Sequence, residues 1–494
     1  MSGRKPIFYS ALLLTSVNLL LRLVGTSFQV YLSSRIGAEG IGLLQLVLSV
    51  GVMAMVAGTA GIRTATMYLT AEELGNRRRG SIRWVLSGCI GYSLLCSATV
   101  GAGIYFFAPV IAHRWIGNAD TVDSLRLYAA FLPVSCLCGV MVGYFTGANR
   151  IGTLSAVEVA EQMFTICATV ALLALWADKN PVKCCQAVVM GSALGSCLTL
   201  ISLVLLRLKH APPPGPRVPV AHRLADTAIP LALADDLRTG ITTVENLMVP
   251  RRLALYGGVL SPLTAFGMVC GMVFPILMFP MAFLFGLNEL LVPELARCRA
   301  AGSKERVSYL VRKGLRVALL YGTLCSGILL LNAEELCISL YQSPEAGSYL
   351  QWFAPLAVML YCDSVTDAMI KGLGQQKRSV LYNIITNTLD VALLFVLLPR
   401  YGIAGYFISF TLTHALNFIL SIRRLLKITG ESIPIHVPLL TLFSAAIAVW
   451  FAHYVPQPLL RTGGYITILG CLLFLLKILS KHDIVWVKGL IYKK

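Results

Sequence analysis

Apolar runs of about twenty residues recur from one end of this chain to the other, each closed by a short polar segment. A helix rises about 1.5 Å per residue, so about 20 apolar residues cover the roughly 30 Å hydrocarbon core of a bilayer. Val85–Ala112, Leu127–Asn149 and Cys184–Leu206 contain no Asp, Glu, Lys or Arg. The pattern predicts about fourteen transmembrane helices, over 7–33, 41–69, 84–112, 125–146, 154–177, 184–207, 224–249, 263–287, 314–341, 350–373, 380–398, 403–422, 437–454 and 463–480. The first apolar segment is too long for the apolar core of a signal peptide and lacks a small-residue cleavage site, so it reads as the first span. No polar stretch is long enough for a separate soluble domain.

Composition agrees with the pattern. Of 494 residues, 57% are hydrophobic and 13% charged, against about 25% charged in a soluble domain. The net charge of +18 would suit nucleic acid, but the placement of the charges excludes it. With the N-terminus in the cytoplasm, 29 of the 41 Lys and Arg fall in cytoplasmic segments, 8 in outside loops and the rest within helices. This is the positive-inside bias, and an even number of helices leaves the C-terminus cytoplasmic as well. The fourteen Cys lie mostly in apolar segments without zinc-type spacing, so they read as small packing residues.

Pro212-Pro213-Pro214-Gly215-Pro216 marks the clearest linker, because it cannot be helical. It divides the chain into an N-terminal six-helix lobe (1–208), a cytoplasmic linker (209–223), a C-terminal six-helix lobe (224–430) and two further helices with a basic tail (431–494). Three glycine pairs recur at one offset of 227 residues and at equivalent places: Gly40 and Gly267, Gly75 and Gly302, Gly147 and Gly374. Six helices per repeat is an even number, so the repeats keep one orientation. The expected fold is an all-α membrane protein of two six-helix bundles in parallel pseudo-twofold repeat, plus two C-terminal helices.

Charge within the membrane is costly, about 2.5–3.5 kcal/mol at a helix centre on insertion scales, so each such residue is a functional candidate. Asn18, Arg22, Gly25 and Gln29 share one face of the first helix by their spacing. Arg22 sits about 22 Å into that helix, too deep for easy snorkelling. These residues, with Arg63 on the second helix and Arg238 on the seventh, are the candidate substrate contacts; the structural alternatives are ion pairing or snorkelling of the arginines. The seventh helix is the most polar, carrying Asp235, Asp236, Arg238, Thr239, Thr242, Glu245 and Asn246. Pro230 is expected to break its hydrogen-bond ladder one turn earlier. Asn383, Asn387 and Asp390 repeat on the eleventh helix, and Asp363, Asp367 and Lys371 on the tenth. Asp235 and Asp236 with Asn387 and Asp390 form the candidate cation-coupling set, for sodium or protons, with an internal Asp235–Arg238 pair as the alternative. No phosphate-binding loop, nucleophile motif or paired Cys/His metal set appears, so the chain is expected to be neither an enzyme nor an ATP-driven pump and to hold no tightly bound cofactor or metal.

Arg22, the stretch Leu32-Ser33-Ser34-Arg35-Ile36-Gly37-Ala38-Glu39-Gly40-Ile41-Gly42, the stretch Leu291-Val292-Pro293-Glu294-Leu295-Ala296 and the stretch Gly372-Leu373-Gly374-Gln375 resemble the polysaccharide-synthesis flippases, including their sporulation-linked branch, and the lipid II flippases. These belong to the multidrug/oligosaccharidyl-lipid/polysaccharide exporter superfamily, and the resemblance covers essentially the whole chain. It implies two lobes working by alternating access in the cytoplasmic membrane. The cargo would be a polyprenyl-pyrophosphate-linked sugar, a peptidoglycan precursor or another envelope polysaccharide unit. The resemblance also implies a cavity arginine on the first helix, matched by Arg22. A cation site in the second lobe would use Asp235 or Asp236 with Asn387 and Asp390. The final two helices, over 436–479, would form a lipid-facing groove. Expected partners are the lipid-linked anionic sugar, membrane lipid and cell-wall synthesis proteins. Two other readings stay open: a cation-coupled multidrug antiporter of the same superfamily, and a non-transporting scaffold for cell-wall synthesis. Drug antiporters often carry a carboxylate on the first helix, where this chain has Arg22 and no acid.

Overall fold

The computed structural model describes residues 4–479 except 77, 177–179, 210–215, 217–219, 258–260 and 433. The side chains of 4–15, 18, 79, 221, 225–227, 230, 231 and 234 also lie outside the described set. The described residues contain helices and no strand. In chain order the α-helices are α1 Arg4–Thr59, α2 Ile62–Gly75, α3 Ile82–Val110, α4 Val122–Gly147, α5 Ile151–Trp176, α6 Pro181–Leu208, α7 Ala221–Ala254, α8 Pro262–Gly267 and α9 Phe274–Met278. They continue with α10 Met281–Ala300, α11 Lys304–Leu331, α12 Ala333–Tyr341, α13 Pro344–Phe353, α14 Ala357–Gly372, α15 Gln376–Tyr401, α16 Ile403–Thr429, α17 His436–His453 and α18 Pro458–Leu475.

Among the described residues, eleven helical segments are long and apolar enough to cross a bilayer, or twelve if one bent pair counts as a span. Apolarity therefore supports fewer spans than the fourteen expected. Two reasons are visible. The first such segment, Leu19–Gly75, is 57 residues long, about 85 Å along its axis and enough for two crossings. And α7 is not among the apolar spans, because Asp235, Asp236, Arg238, Glu245, Arg251 and Arg252 crowd its middle and its second half.

Several predicted boundaries move. The expected loop at 34–40 is reduced to one non-helical residue, Gly37, with φ 80° and ψ 170°. The predicted helix 41–69 is instead broken at Ala60 and Gly61, which both have positive φ. Glycine tolerates that conformation, whereas alanine there is strained. α7 runs from Ala221 to Ala254 through Pro230, whose missing N–H removes one bond of the ladder without ending the helix. The predicted helix 263–287 is bent by 58° at the junction after Met278, where Pro280 precedes α10.

The chain groups into two compact units. Unit 1 comprises residues 1–271 with 391–403, and unit 2 comprises 272–390 with 404–494. Packing thus places α7 with the N-terminal helices. In unit 1, α1 and α8 approach so closely that a Cβ on Gly42 would strike the Leu263 carbonyl, and one on Gly267 the Ala38 carbonyl. Gly143 and Gly147 likewise let α4 lie on the backbone of α2, against the carbonyls of Arg63 and Met67. Small residues four apart commonly allow such contact between membrane helices. The Ala60–Gly61 break seats against α7 at Ala228, and Tyr92 donates from its hydroxyl to the freed Ala60 carbonyl (3.3 Å). In unit 2, α17 and α18 pack on α11 through Leu331, Ala448, Tyr465 and Leu469. The buried Tyr465 donates to the Thr323 carbonyl (2.8 Å), beside Gly327, where a side chain would exclude it.

Candidate functional site

The polar face of α1 is intact through the segment expected to hold the substrate. Arg22 is exposed, and Thr26 donates from its hydroxyl to the Arg22 carbonyl (2.9 Å). Gly25 lies opposite Gln162 of α5, 3.8 Å from the amide nitrogen to an added Cβ. The Gln29 amide nitrogen is buried without a hydrogen-bond partner. A buried amide donor left unpaired costs about 1–3 kcal/mol. The side chain of Asn18 lies outside the described residues.

Arg63 stands one turn after the Ala60–Gly61 break and is exposed, as is Arg238 on α7. Asp235 is exposed and Asp236 half-buried, with one Asp236 carboxylate oxygen buried and unpartnered. Two of the polar α7 residues hold the helix in place. Thr243 donates to the Ser49 carbonyl (3.2 Å) and Asn246 to the Ser49 hydroxyl (3.0 Å), tying α7 to α1. Thus Arg22, Gln29, Arg63, Arg238, Asp235 and Asp236 all belong to unit 1, while Asn387 and Asp390 belong to unit 2.

Unit 2 carries a different chemistry. Asp390 is buried and accepts from the hydroxyls of Ser409 (2.5 Å) and Thr413 (3.2 Å) on α16. Hydroxyl donors to a carboxylate make strong, charge-assisted bonds. One α16 turn beyond Thr413, Asn417 donates to Asp363 of α14 (2.9 Å). The second Asp363 oxygen and the Asn417 amide oxygen are both buried and unpartnered. Further along α14, Asp367 pairs with Lys371 (2.6 Å), as their spacing suggests, and accepts from Ser379. Ser409, Thr413 and Asn417 were not singled out by sequence reasoning. Their signal is a polar stripe at i, i+4, i+8 along α16. Among the described residues no group of three or more His, Cys, Asp or Glu is placed to hold a metal ion. The oxygen-rich setting of Asp390 instead suits a hard monovalent cation or a proton.

A multi-pass helical membrane protein with breaks inside its helices and charges on their inner stretches is built as a transporter. Comparison with known proteins makes the class specific. Residues 8–223 match the model of the polysaccharide biosynthesis protein family, and residues 261–396 match the MatE family model. The stage V sporulation protein B of Bacillus subtilis (strain 168) is 21% identical over 415 residues, covering 82% of this chain and 80% of that protein. The lipid II flippase MurJ in an inward closed conformation shares the fold with a TM-score of 0.67 at 12% identity, over 93% of this chain and 97% of that one. An inward-facing multidrug resistance MATE family transporter gives a TM-score of 0.66 at 14% identity, over 85% and 100%. The two solved neighbours are a flippase and a transporter. Fold and sequence together make the chain similar to the transporters of the multidrug/oligosaccharidyl-lipid/polysaccharide exporter superfamily, the likeness that the sequence resemblance implied.

Proposed function

We propose that this transporter flips an anionic lipid-linked sugar, a polyprenyl-pyrophosphate carrying an envelope polysaccharide unit, across the cytoplasmic membrane by alternating access. The observation that carries the reading is the exposed Arg22 on the inner stretch of α1, on one face with the unpaired Gln29 amide. A guanidinium in a low-dielectric cavity binds phosphate oxygens in a bidentate, charge-assisted way. Arg63 and Arg238, both exposed in the same unit, are secondary phosphate contacts, and Asn18 and Gln29 are polar contacts. The similarity to a lipid II flippase and to stage V sporulation protein B supports this substrate class.

Coupling to sodium or protons runs through the carboxylates, with Asp390 and its two hydroxyl partners the best-equipped site, Asn387 its proposed companion within unit 2, and Asp235 and Asp236 proposed coupling carboxylates of unit 1. Two parallel six-helix repeats, 1–208 and 224–430, joined by the linker 209–223 and followed by 431–494, complete the scheme, with both termini cytoplasmic. The MATE likeness favours a second reading, a cation-coupled drug antiporter. The discriminating experiment is a proteoliposome assay of lipid-linked sugar translocation beside one of lipophilic cation efflux. Translocation of the sugar without dye efflux is expected. Dye efflux without sugar translocation would establish the antiporter instead, and neither would favour the scaffold.

A further inference from the structure

The last turn of α7 carries Arg251 and Arg252, at the end of the helix remote from the linker. A helix C-terminus favours cations, and two arginines at a membrane boundary could do no more than reach for water. Their surroundings say otherwise. Both line a cavity of about 450 Å³ in unit 1 whose other walls include Met53 of α1, Trp115 just after α3, Leu247 of α7 and Phe395 of α15. No carboxylate is among the described residues that line the cavity beside the two guanidiniums. Arg252 is held in place, its guanidinium carbon 3.1 Å above the Phe395 ring centre, a cation–π arrangement. Met53, Trp115 and Phe395 are each more than a third exposed. Trp is enriched at the level of the lipid head groups in membrane proteins.

We propose that this cavity is a binding site for an anionic phospholipid of the surrounding bilayer, its phosphate on Arg251 and Arg252 and its apolar stem along Met53, Trp115 and Leu247. The size lies within the range of small-molecule sites, about 300–1,000 Å³. The choice of a lipid over free phosphate follows from the walls. Inorganic phosphate gains nothing from methionine, leucine and aromatic rings, whereas an amphiphile matches both the paired cations and the apolar lining. The site is separate from Arg22 and does not depend on what is transported.

Trp115 provides the readout. The purified chain is placed in phosphatidylcholine vesicles containing a brominated phosphatidylglycerol or, in parallel, a brominated phosphatidylcholine. The Trp115→Phe variant isolates the Trp115 share of the fluorescence. Two basic residues near an anionic lipid support a preference of about thirtyfold, so Trp115 should be quenched by brominated phosphatidylglycerol at about a thirtieth of the mole fraction needed for phosphatidylcholine. The Arg251→Gln/Arg252→Gln double variant should lose the preference while folding and inserting as the parent does, and Arg22→Ala should keep it. Equal quenching by both lipids in the parent, or a preference that survives in the double variant, would overturn the proposal. So would complete displacement of brominated phosphatidylglycerol by inorganic phosphate at matched ionic strength, which would assign the arginines to a free anion.

Discussion

On α1 and α7 of unit 1 the side chains of Arg22, Arg238 and Asp235 are exposed, whereas on α15 of unit 2 Asp390 is buried under the Ser409 and Thr413 hydroxyls and on α14 Asp363 is bonded to Asn417. Exposed arginines on inner helical stretches are available to a large anionic ligand. A buried carboxylate surrounded by hydroxyl oxygens is reachable only by something the size of an ion or a proton. Under the proposed function the two units would divide the work by desolvation, the exposed arginines of unit 1 meeting the substrate and the buried Asp390 of unit 2 a small counter-ion. Burying a charge is tolerated only when it is paired and hydrogen-bonded, which explains why the acidic network of α14–α16 is spread over several short bonds.

The comparison breaks first at Asp390. If that carboxylate senses the coupling ion, Asp390→Asn should abolish the sodium or pH dependence of a single-cysteine accessibility reporter while the protein still inserts and folds. Retention of a parent-like ion response would move coupling elsewhere, and the Asp235→Asn and Asp236→Asn variants then show whether unit 1 supplies it. A smaller effect is expected at Asp363. Asp363→Leu removes the acceptor of the Asn417 amide and should destabilise the protein by about 1–3 kcal/mol, the cost of a buried unpaired polar group. Asp363→Asn keeps that acceptor and adds a donor for the unpartnered Asn417 oxygen, so it should match the parent within about 1 kcal/mol. Unfolding titrations in mixed micelles measure both. Equal losses in the two variants would mean that the Asn417 bond contributes nothing.

Much of this arrangement was legible in the chain. Apolar runs located most helices because a bilayer leaves little choice of element, and Arg22 stood out because charge deep in an apolar run is rare. The pairing of Asp367 with Lys371 followed from spacing alone. Other features were not legible. The break at Ala60–Gly61 lies in an apolar run and depends on Tyr92 and α7 to hold it. Pro230 marked a gap in the α7 ladder, but not that the helix would continue through it. The partners of Asp390 come from a helix whose first bonded hydroxyl, Ser409, is 19 residues further on. Periodicity could show that α16 carries a polar stripe but could not show which carboxylate it meets. The grouping of α7 with the N-terminal helices rests on bonds such as Asn246 to Ser49, separated by 197 residues.

The central claim is that Arg22 receives the phosphate of the transported lipid. A guanidinium makes two directed bonds to a phosphate where an ammonium offers a point charge. Translocation of a purified lipid-linked oligosaccharide in proteoliposomes should therefore be graded across the parent, Arg22→Lys and Arg22→Ala, at equal amounts of inserted protein. The account expects partial transport by Arg22→Lys and a loss of about a hundredfold or more in Arg22→Ala, in line with about 3 kcal/mol for a charged hydrogen-bonding partner. Parent-like translocation by Arg22→Ala would contradict it.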